Sequence, residues 1–491
     1  MFKLNNSVKL NSTFGRSQKR QFNPLQYSPA LWLDASDQST LTMDGAASFT
    51  AASSQSLSKA STSLSNNDED IWVSLWAKTS SDATQGIFGK WNYSADGEYL
   101  LSKISATTLR FTRLTSAGQI STDITYSMTI GSWFHIFLTH DKTNNYYKLF
   151  INNALVTTIN YTGTVTATAN PFVLGWNSNA GYFNGFIDSA AFGKSASGWI
   201  NSNAVALASY LYNSGAGRRS SDFINSSYYT GGNPSGAVSW WDLDERSGTR
   251  KDRIGTNDLT DNNSVGYASG IASGLVQYDG DPIKQWSDKS GNGRHATAAS
   301  DAKRPTFKKD FINGRNTILT DGVDDVLSSA TDMTQYTGLT IFGVYRYISG
   351  GSGAEVNNYG SSTGGVQFFT ANGTDGYLRA RPLISGSYAT AIAAQKSSVN
   401  YSLFHVMTGT YGATTGVSVY VDGTIGSVTS STTSTRLGGE TSFYIGHNTN
   451  YSPTYGSAHF AELIIYPIEL SSSKRQQVER YLGNKWGITV L

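Results

Sequence analysis

Ser132-Trp133-Phe134-His135-Ile136 and Ser402-Leu403-Phe404-His405-Val406 stand 270 residues apart, and the segments around them recur in the same order. Lys148-Leu149-Phe150-Ile151-Asn152-Asn153 answers to Ser418-Val419-Tyr420-Val421-Asp422-Gly423, and Leu57-Ser58 to Leu327-Ser328, both at the same offset. Phe172-Val173-Leu174-Gly175 matches Phe443-Tyr444-Ile445-Gly446 at an offset of 271. A repeat this long duplicates a domain, whereas solenoid units run to about 20–50 residues.

Working outward, short runs rich in aromatic and β-branched residues and bounded by Gly, Asn, Asp or Ser predict strands. These are Ile71–Ala77, Phe134–Thr139, Tyr147–Ile151 and Phe172–Gly175, then Leu339–Tyr345, Leu403–Met407, Val417–Val421 and Phe443–Gly446. Many such strands at regular spacing predict a sandwich or jelly roll. Helical periodicity is confined to Ser471–Lys485 and, more briefly, Ala204–Tyr212. In the first, Val478, Tyr481 and Leu482 share one face, with Lys474, Arg475 and Arg480 expected opposite them.

Composition agrees. The chain of 491 residues has 50 Gly, 28 Tyr, 22 Phe and 11 Trp, which suits aromatic-rich strands joined by many turns. Charged residues are 15% and the formal net charge is +2, so no general case for nucleic acid or membrane binding arises. There is no Cys, which excludes disulfides and thiolate metal sites. No apolar run reaches the length of a membrane span, and no signal peptide is expected, because no apolar stretch follows the basic N-terminal residues.

Residues 1–33 hold Lys3, Lys9, Arg16, Lys19 and Arg20 and no acid, a net of +5. This composition reads either as a solvated tail or, the reading favoured, as an assembly arm that lies on a neighbouring subunit or an acidic surface.

Gly131-Ser132-Trp133-Phe134-His135, Lys148–Asn153 and Tyr182-Phe183-Asn184-Gly185-Phe186-Ile187-Asp188 resemble the laminin-G-like, concanavalin A-like jelly-roll domains of bacterial surface and phage virion proteins. Gln285-Trp286-Ser287-Asp288-Lys289-Ser290-Gly291-Asn292-Gly293, Asp321-Gly322-Val323-Asp324-Asp325 and Arg480-Tyr481-Leu482-Gly483-Asn484-Lys485-Trp486-Gly487 resemble them too. The implied fold is all-β: two concanavalin A-like jelly-roll sandwiches with an extended N-terminal arm and a short C-terminal helix. Two departures bear on layout. A segment like Leu31-Trp32-Leu33-Asp34-Ala35-Ser36-Asp37 normally sits shortly before the Trp286 element, and one like Trp240–Glu245 normally precedes Ala47-Ser48-Phe49. The economical layout is a basic arm at 1–28, the first strand of an outer jelly roll at 29–43, a permuted and inserted jelly roll at 44–272, and the rest of the outer domain at 273–491. The alternative is plain tandem domains.

Catalytic sets are incomplete. Retaining glycosidases on this architecture resemble Glu-x-Asp-x-Glu on one strand, whereas Asp242-Leu243-Asp244-Glu245-Arg246 has Arg in the third place. Asp242 and Asp244 are therefore expected to hydrogen-bond loop backbone. No Gly-x-Ser-x-Gly elbow is present, and Gly193-Lys194-Ser195 lacks the first Gly of a phosphate loop. The six histidines show no metal-binding pair. His135 and His405 are expected to be equivalent buried structural residues. For calcium, the densest acidic cluster in a suitable loop is Asp321, Asp324 and Asp325. Otherwise no cofactor is expected.

Sugar binding is the sharper expectation for the loops, because aromatic faces stack on pyranose rings while amides bond the hydroxyls. Trp176, Asn177, Asn179 and Tyr182 have that composition, as do Trp91 and Tyr93; the same aromatics could equally pack beneath loops. The function expected first is a non-enzymatic virion structural protein: a capsid decoration protein, head fibre or tail component of a phage. Its arm would contact capsid or tail neighbours, its jelly rolls a cell-surface glycan, within a homo-oligomer or larger assembly. The alternative is a bacterial surface or secreted carbohydrate-binding protein, and a glycoside hydrolase ranks third.

Overall fold

The computed structural model describes residues 22–92, 96–334, 336–350, 402–412, 414–428, 441–448 and 454–491, with the strand segments 356–357, 365–371, 378–383 and 394–396. The arm residues Lys3, Lys9, Arg16, Lys19 and Arg20 lie outside the described residues, and so does Tyr93.

Strand alternation builds the first sandwich. In Ile71–Thr79, Ile71, Val73, Leu75 and Ala77 point into one hydrophobic core while Trp72 points out of it. This strand pairs with Trp133–Asp141 on one side and Gly185–Lys194 on the other, all antiparallel. Tyr146–Ile151 and Ala154–Asn160 extend that sheet. A second sheet of seven strands runs, in spatial order, Thr260–Asn262, Ser56–Lys59, Phe172–Leu174, Gln85–Asn92, Asp96–Ser105, Thr108–Thr115 and Gly118–Thr125. It supplies Phe88, Tyr99, Leu101, Leu109, Phe111, Phe172 and Leu174 to the shared core. Each such fully buried side chain contributes about 1.5–3 kcal/mol.

Helix α1, Trp199–Tyr212, covers the other face of the first sheet. Ile200, Ala204, Leu207, Ala208 and Leu211 recur at helical spacing and pack on the outward-pointing Trp72, Phe137 and Phe150. A short helix α2, Ser220–Ile224, follows and adds Phe223 to that layer.

A second sandwich has its own core. Leu31, Leu33, Leu41 and Met43 join Trp286, Phe307, Ile318, Leu339, Ile341, Met407, Phe443, Ile445, Leu463 and Ile465 in one cluster, whereas the first cluster draws on residues 47–265. Leu31–Asp34 pairs antiparallel with Thr454–Tyr466, Leu31 opposite Ile465 and Asp34 opposite Glu462. Helix α3, Ser472–Trp486, ends on Gly487 in the left-handed conformation and buries Val478, Leu482 and Trp486 against Phe342, Val344 and Ile464.

Two expectations fail here. Arg475 is buried, ion-paired to Glu479 one turn on, and lies 3.6 Å from the centre of the Tyr420 ring. The charged face of α3 is therefore narrower than the spacing predicts. The histidines are not equivalent either: Ile151 pairs with Ile136, but Val421 pairs with Met407. That slip of one residue exchanges faces. His135 is fully buried toward α1, with Nε2 2.9 Å from Ser74 Oγ, whereas His405 is half-buried and lies 2.7 Å from the Asp422 carboxylate.

Where the chain passes between the two cores, charge is buried. Asp44 receives Arg304 at 2.6 Å and Lys284 at 2.5 Å. Arg219, 2% exposed, donates to both oxygens of Asp244 and lies 3.7 Å from Asp242. Asp188 accepts from the backbone N–H of Ile271 and Ala272, and burial pushes its carboxyl up to about 7.

Candidate functional site

Alternation also decides what the seven-stranded sheet shows to solvent. Tyr99, Leu101, Leu109 and Phe111 face the core, so Leu100, Ser102, Arg110, Thr112, Ser121 and Asp123 lie on the opposite face. Of these six, Leu100, Ser102 and Thr112 are buried and only Arg110, Ser121 and Asp123 reach solvent. Register aligns them into rows across three strands: Ser102 beside Arg110 beside Asp123, and Leu100 beside Thr112 beside Ser121. Thr112 Oγ1 and Ser121 Oγ are 2.9 Å apart. Arg110 grips Asp123 with two parallel bonds, Nε to Oδ1 at 2.5 Å and a terminal nitrogen to Oδ2 at 2.8 Å. That guanidinium holds the Asp123 carboxyl below the usual carboxylate range.

The hairpin from Trp176–Asn177 to Gly181–Tyr182 makes one wall of this face. Asn177 is buried, its Oδ1 accepting from the backbone N–H of Asn179 and Ala180 and its Nδ2 donating to Ser102 Oγ at 3.0 Å. Gly86 permits the docking, since a Cβ there would lie 2.5 Å from Asn177 Nδ2. The result is a groove of about 560 Å³ lined by Ser102, Arg110, Thr112, Gln119, Ser121 and Asn179 among others. The exposed Ser121 hydroxyl, the Gln119 and Asn179 amides and the Arg110–Asp123 pair offer donors and acceptors side by side, which suits a polyhydroxylated ligand, while Ser102 and Thr112 are buried beneath them.

The expected sugar-binding residues separate on this geometry. Asn179 lines the groove. Asn177 shapes the turn from beneath and has no edge open to a ligand. Trp176 and Tyr182 are half-buried partners across the hairpin, ring centres 6.0 Å apart. Trp91 belongs to a strand rather than a loop and is 2% exposed, its ring lying over its cross-strand partner Gly97. It offers no stacking face. Arg110, Thr112, Gln119, Ser121 and Asp123 were not expected; the only signal for them is polar alternation along two strands.

Two acidic constellations invite a catalytic reading. Asp242 and Asp244 lie beyond the strand Ala237–Trp241, at 2% and 0% exposure. Asp242 accepts from the backbone N–H and hydroxyl of Ser220, but Asp244 pairs with Arg219 rather than with loop backbone. Asp34 and Glu462 are cross-strand partners beside a second groove, and the Lys485 ammonium lies 2.7 Å from each. Glu462 also accepts from the indole N–H of Trp32 and of Trp486, both at 2.8 Å. Burial, reinforced by Asp34 opposite, pushes the Glu462 carboxyl above the usual range, against the pull of Lys485 and the Trp486 indole. Lys289 completes the network at 3.0 Å from Asp34 and 2.8 Å from Asp37. Leu31–Asp37, Trp286–Gly293 and Arg480–Gly487, distant in sequence, meet here as a structural clasp.

For a metal, carboxylate oxygens of Asp321, Asp324 and Asp325 lie within 4.8 Å of one another. Asp325 is buried, and burial reinforced by Asp321 pushes its carboxyl up to about 7. The Arg246 guanidinium stands 3.9 Å from its Oδ1, so a cationic group already faces this cluster.

The family model described as the concanavalin A-like lectin/glucanases superfamily (Laminin_G_3) matches residues 45–198, which include the whole sheet groove. The chain is mostly β-sandwich with a C-terminal helix, the laminin-G-like jelly-roll fold. No curated protein matches it. Among solved structures it is similar to a candidate carbohydrate-binding protein of Bacteroides ovatus, at 13% identity over 48% of this chain and 63% of that one, TM-score 0.32. It is also similar to the heptameric SAP-like pentraxin of Limulus polyphemus, at 12% identity over 48% and 97%, TM-score 0.30. The LG4-5 domains of the mouse laminin α1 chain match at 11% identity over 90% and 94%, TM-score 0.26. At these scores none of them speaks to a ligand.

Proposed function

We propose that this protein is a non-enzymatic, lectin-type adhesion protein that binds a neutral glycan in the groove of its seven-stranded sheet. The observation that carries the reading is the solvent-facing Arg110–Asp123 pair, flanked by Gln119, Ser121 and Asn179. The Arg110–Asp123 pair presents a donor and an acceptor fixed side by side, a match for two neighbouring sugar hydroxyls. Its location within the lectin/glucanase match supports the same reading.

The setting we favour is a larger assembly such as a phage particle, with the basic segment carrying Lys3, Lys9, Arg16, Lys19 and Arg20 docking on a capsid or tail neighbour. A bacterial surface or secreted carbohydrate-binding protein is the second setting. What supports the first is the concentration of positive charge in one terminal segment. Deleting residues 1–21 should then abolish incorporation into the parent assembly, and normal incorporation would refute that setting.

A neutral-glycan array tests the binding itself. Signal from the full chain that disappears in Arg110→Ala supports the site, and signal unchanged in that variant moves the site elsewhere. Release of reducing sugar from any bound glycan would overturn the non-enzymatic part.

A further inference from the structure

We propose that the groove beside the Asp34–Lys485–Glu462 clasp is a second binding site, one that takes an anionic group carried on a sugar. It is the larger of the two grooves, about 1100 Å³, and lies between Leu31–Asp37, Lys289, Arg315 and helix α3.

Its charge is unevenly satisfied. Lys289 and Lys485 are occupied by Asp34, Asp37 and Glu462, so these five groups form a closed floor, two cations among three carboxyls, with no free positive charge to offer. Arg315 and Arg480 also line the groove. Elsewhere Arg110, Arg219, Arg253, Arg304 and Arg475 each meet a carboxylate. Among the described residues, neither Arg315 nor Arg480 has a carboxylate within 4 Å. Arg315 is oriented rather than neutralised: its Nε donates to the Lys485 carbonyl at 2.7 Å, which leaves both terminal nitrogens for a ligand. Arg480 is exposed on α3 one residue before Tyr481.

The Arg315 fork, oriented by its backbone bond, and the exposed Arg480 guanidinium favour a planar or tetrahedral anion over a neutral ligand. The walls add the second half of the recognition. Tyr481 and Phe22, ring centres 5.6 Å apart, form an aromatic edge to the groove, and Asn484 adds an amide. A ring faces carbon–hydrogen bonds of a pyranose while the arginines take its acid group. A carboxylated sugar and a sulfated sugar share this chemistry.

The test is calorimetric titration of the full chain with trigalacturonate, with its fully methyl-esterified form, and with a sulfated galactan oligosaccharide. One acidic ligand is expected to bind, with at least tenfold loss in Arg480→Ala and in Arg315→Gln, and affinity falling as salt rises. Which acid binds separates the carboxylate source from the sulfate. Arg110→Ala, in the other groove, is expected to leave this binding unchanged, so the two sites fail or succeed separately. Equal binding of the esterified form, no binding of either acid, or full retention in Arg480→Ala would each overturn the proposal.

Discussion

Asp34 and Glu462 face each other across an antiparallel strand pair, and the Lys485 ammonium lies 2.7 Å from an oxygen of each. One cation thereby joins Leu31–Asp34, Thr454–Tyr466 and helix α3. Asp34 is itself buried, yet Lys485 and Lys289 hold its carboxyl below the usual range. Removing the cation would leave two like charges opposed in a low-dielectric setting. Lys485→Met is expected to lower the unfolding free energy by about 3–5 kcal/mol in a urea titration. A loss below about 1 kcal/mol, typical of exposed pairs, would show that the clasp does not hold α3 in place.

Arg219 has the same standing between the two cores. Its guanidinium serves Asp244 and stands near Asp242, all three essentially buried. Arg219→Met should destabilise by about 3–5 kcal/mol at neutral pH. Mild acid should narrow that loss, because protonation removes the uncompensated charge. An equal loss at pH 5 and pH 8 would contradict the assignment.

Asp188 gives a pH signature of definite sign. Burial raises its carboxyl from 3.8 to about 7, so between those values the folded chain holds a proton that the unfolded chain has released. Its contribution to stability is therefore present at low pH and lost as pH rises through about 7. Asp188→Asn keeps an acceptor for the Ile271 and Ala272 amides. Its stability relative to the parent should rise from pH 4 to pH 7 and level off above. Parallel curves for the two proteins would remove Asp188 from the account. His135 acts oppositely: burial lowers it to about 3, so its contribution is present above pH 6.5 and lost as pH falls.

Gly86 couples the hairpin to the sheet. A Cβ at that position would meet Asn177, whose side chain ties the hairpin to Ser102. Gly86→Val is expected to cost about 1–3 kcal/mol and to weaken glycan binding by displacing Asn179 from the groove wall. Thermal melts and titration of the same preparations check both. Weakened stability with full binding would separate the hairpin from the site.

The sequence made the scaffold legible because strand and helix periods are local. Ile71–Ala77 alternates between two cores, and Val478 and Leu482 lie one turn apart on α3, as their spacing requires. The site was less legible because it depends on register between strands. Nothing local pairs Arg110 with Asp123, and only the pairing of Thr108–Thr115 with Gly118–Thr125 sets them side by side. Trp91 misled for a related reason: its loop-like neighbours hide a strand in which Gly97 makes room for the ring. Arg475 misled because a charge at helical spacing reads as solvent-facing until Glu479 and Tyr420 enclose it.

The central claim is that the outer face of the seven-stranded sheet binds a glycan through Arg110 and its neighbours. The direct measurement is calorimetric titration of a neutral oligosaccharide, chosen from the array, into the parent chain, Arg110→Ala and Asn179→Ala. The Arg110–Asp123 pair is exposed, 41% and 54%, so its removal should change stability by less than about 1 kcal/mol and leave the fold intact. Affinity is expected to fall at least tenfold in Arg110→Ala and measurably in Asn179→Ala, with melting temperatures unchanged. Undiminished affinity in both variants would contradict the account.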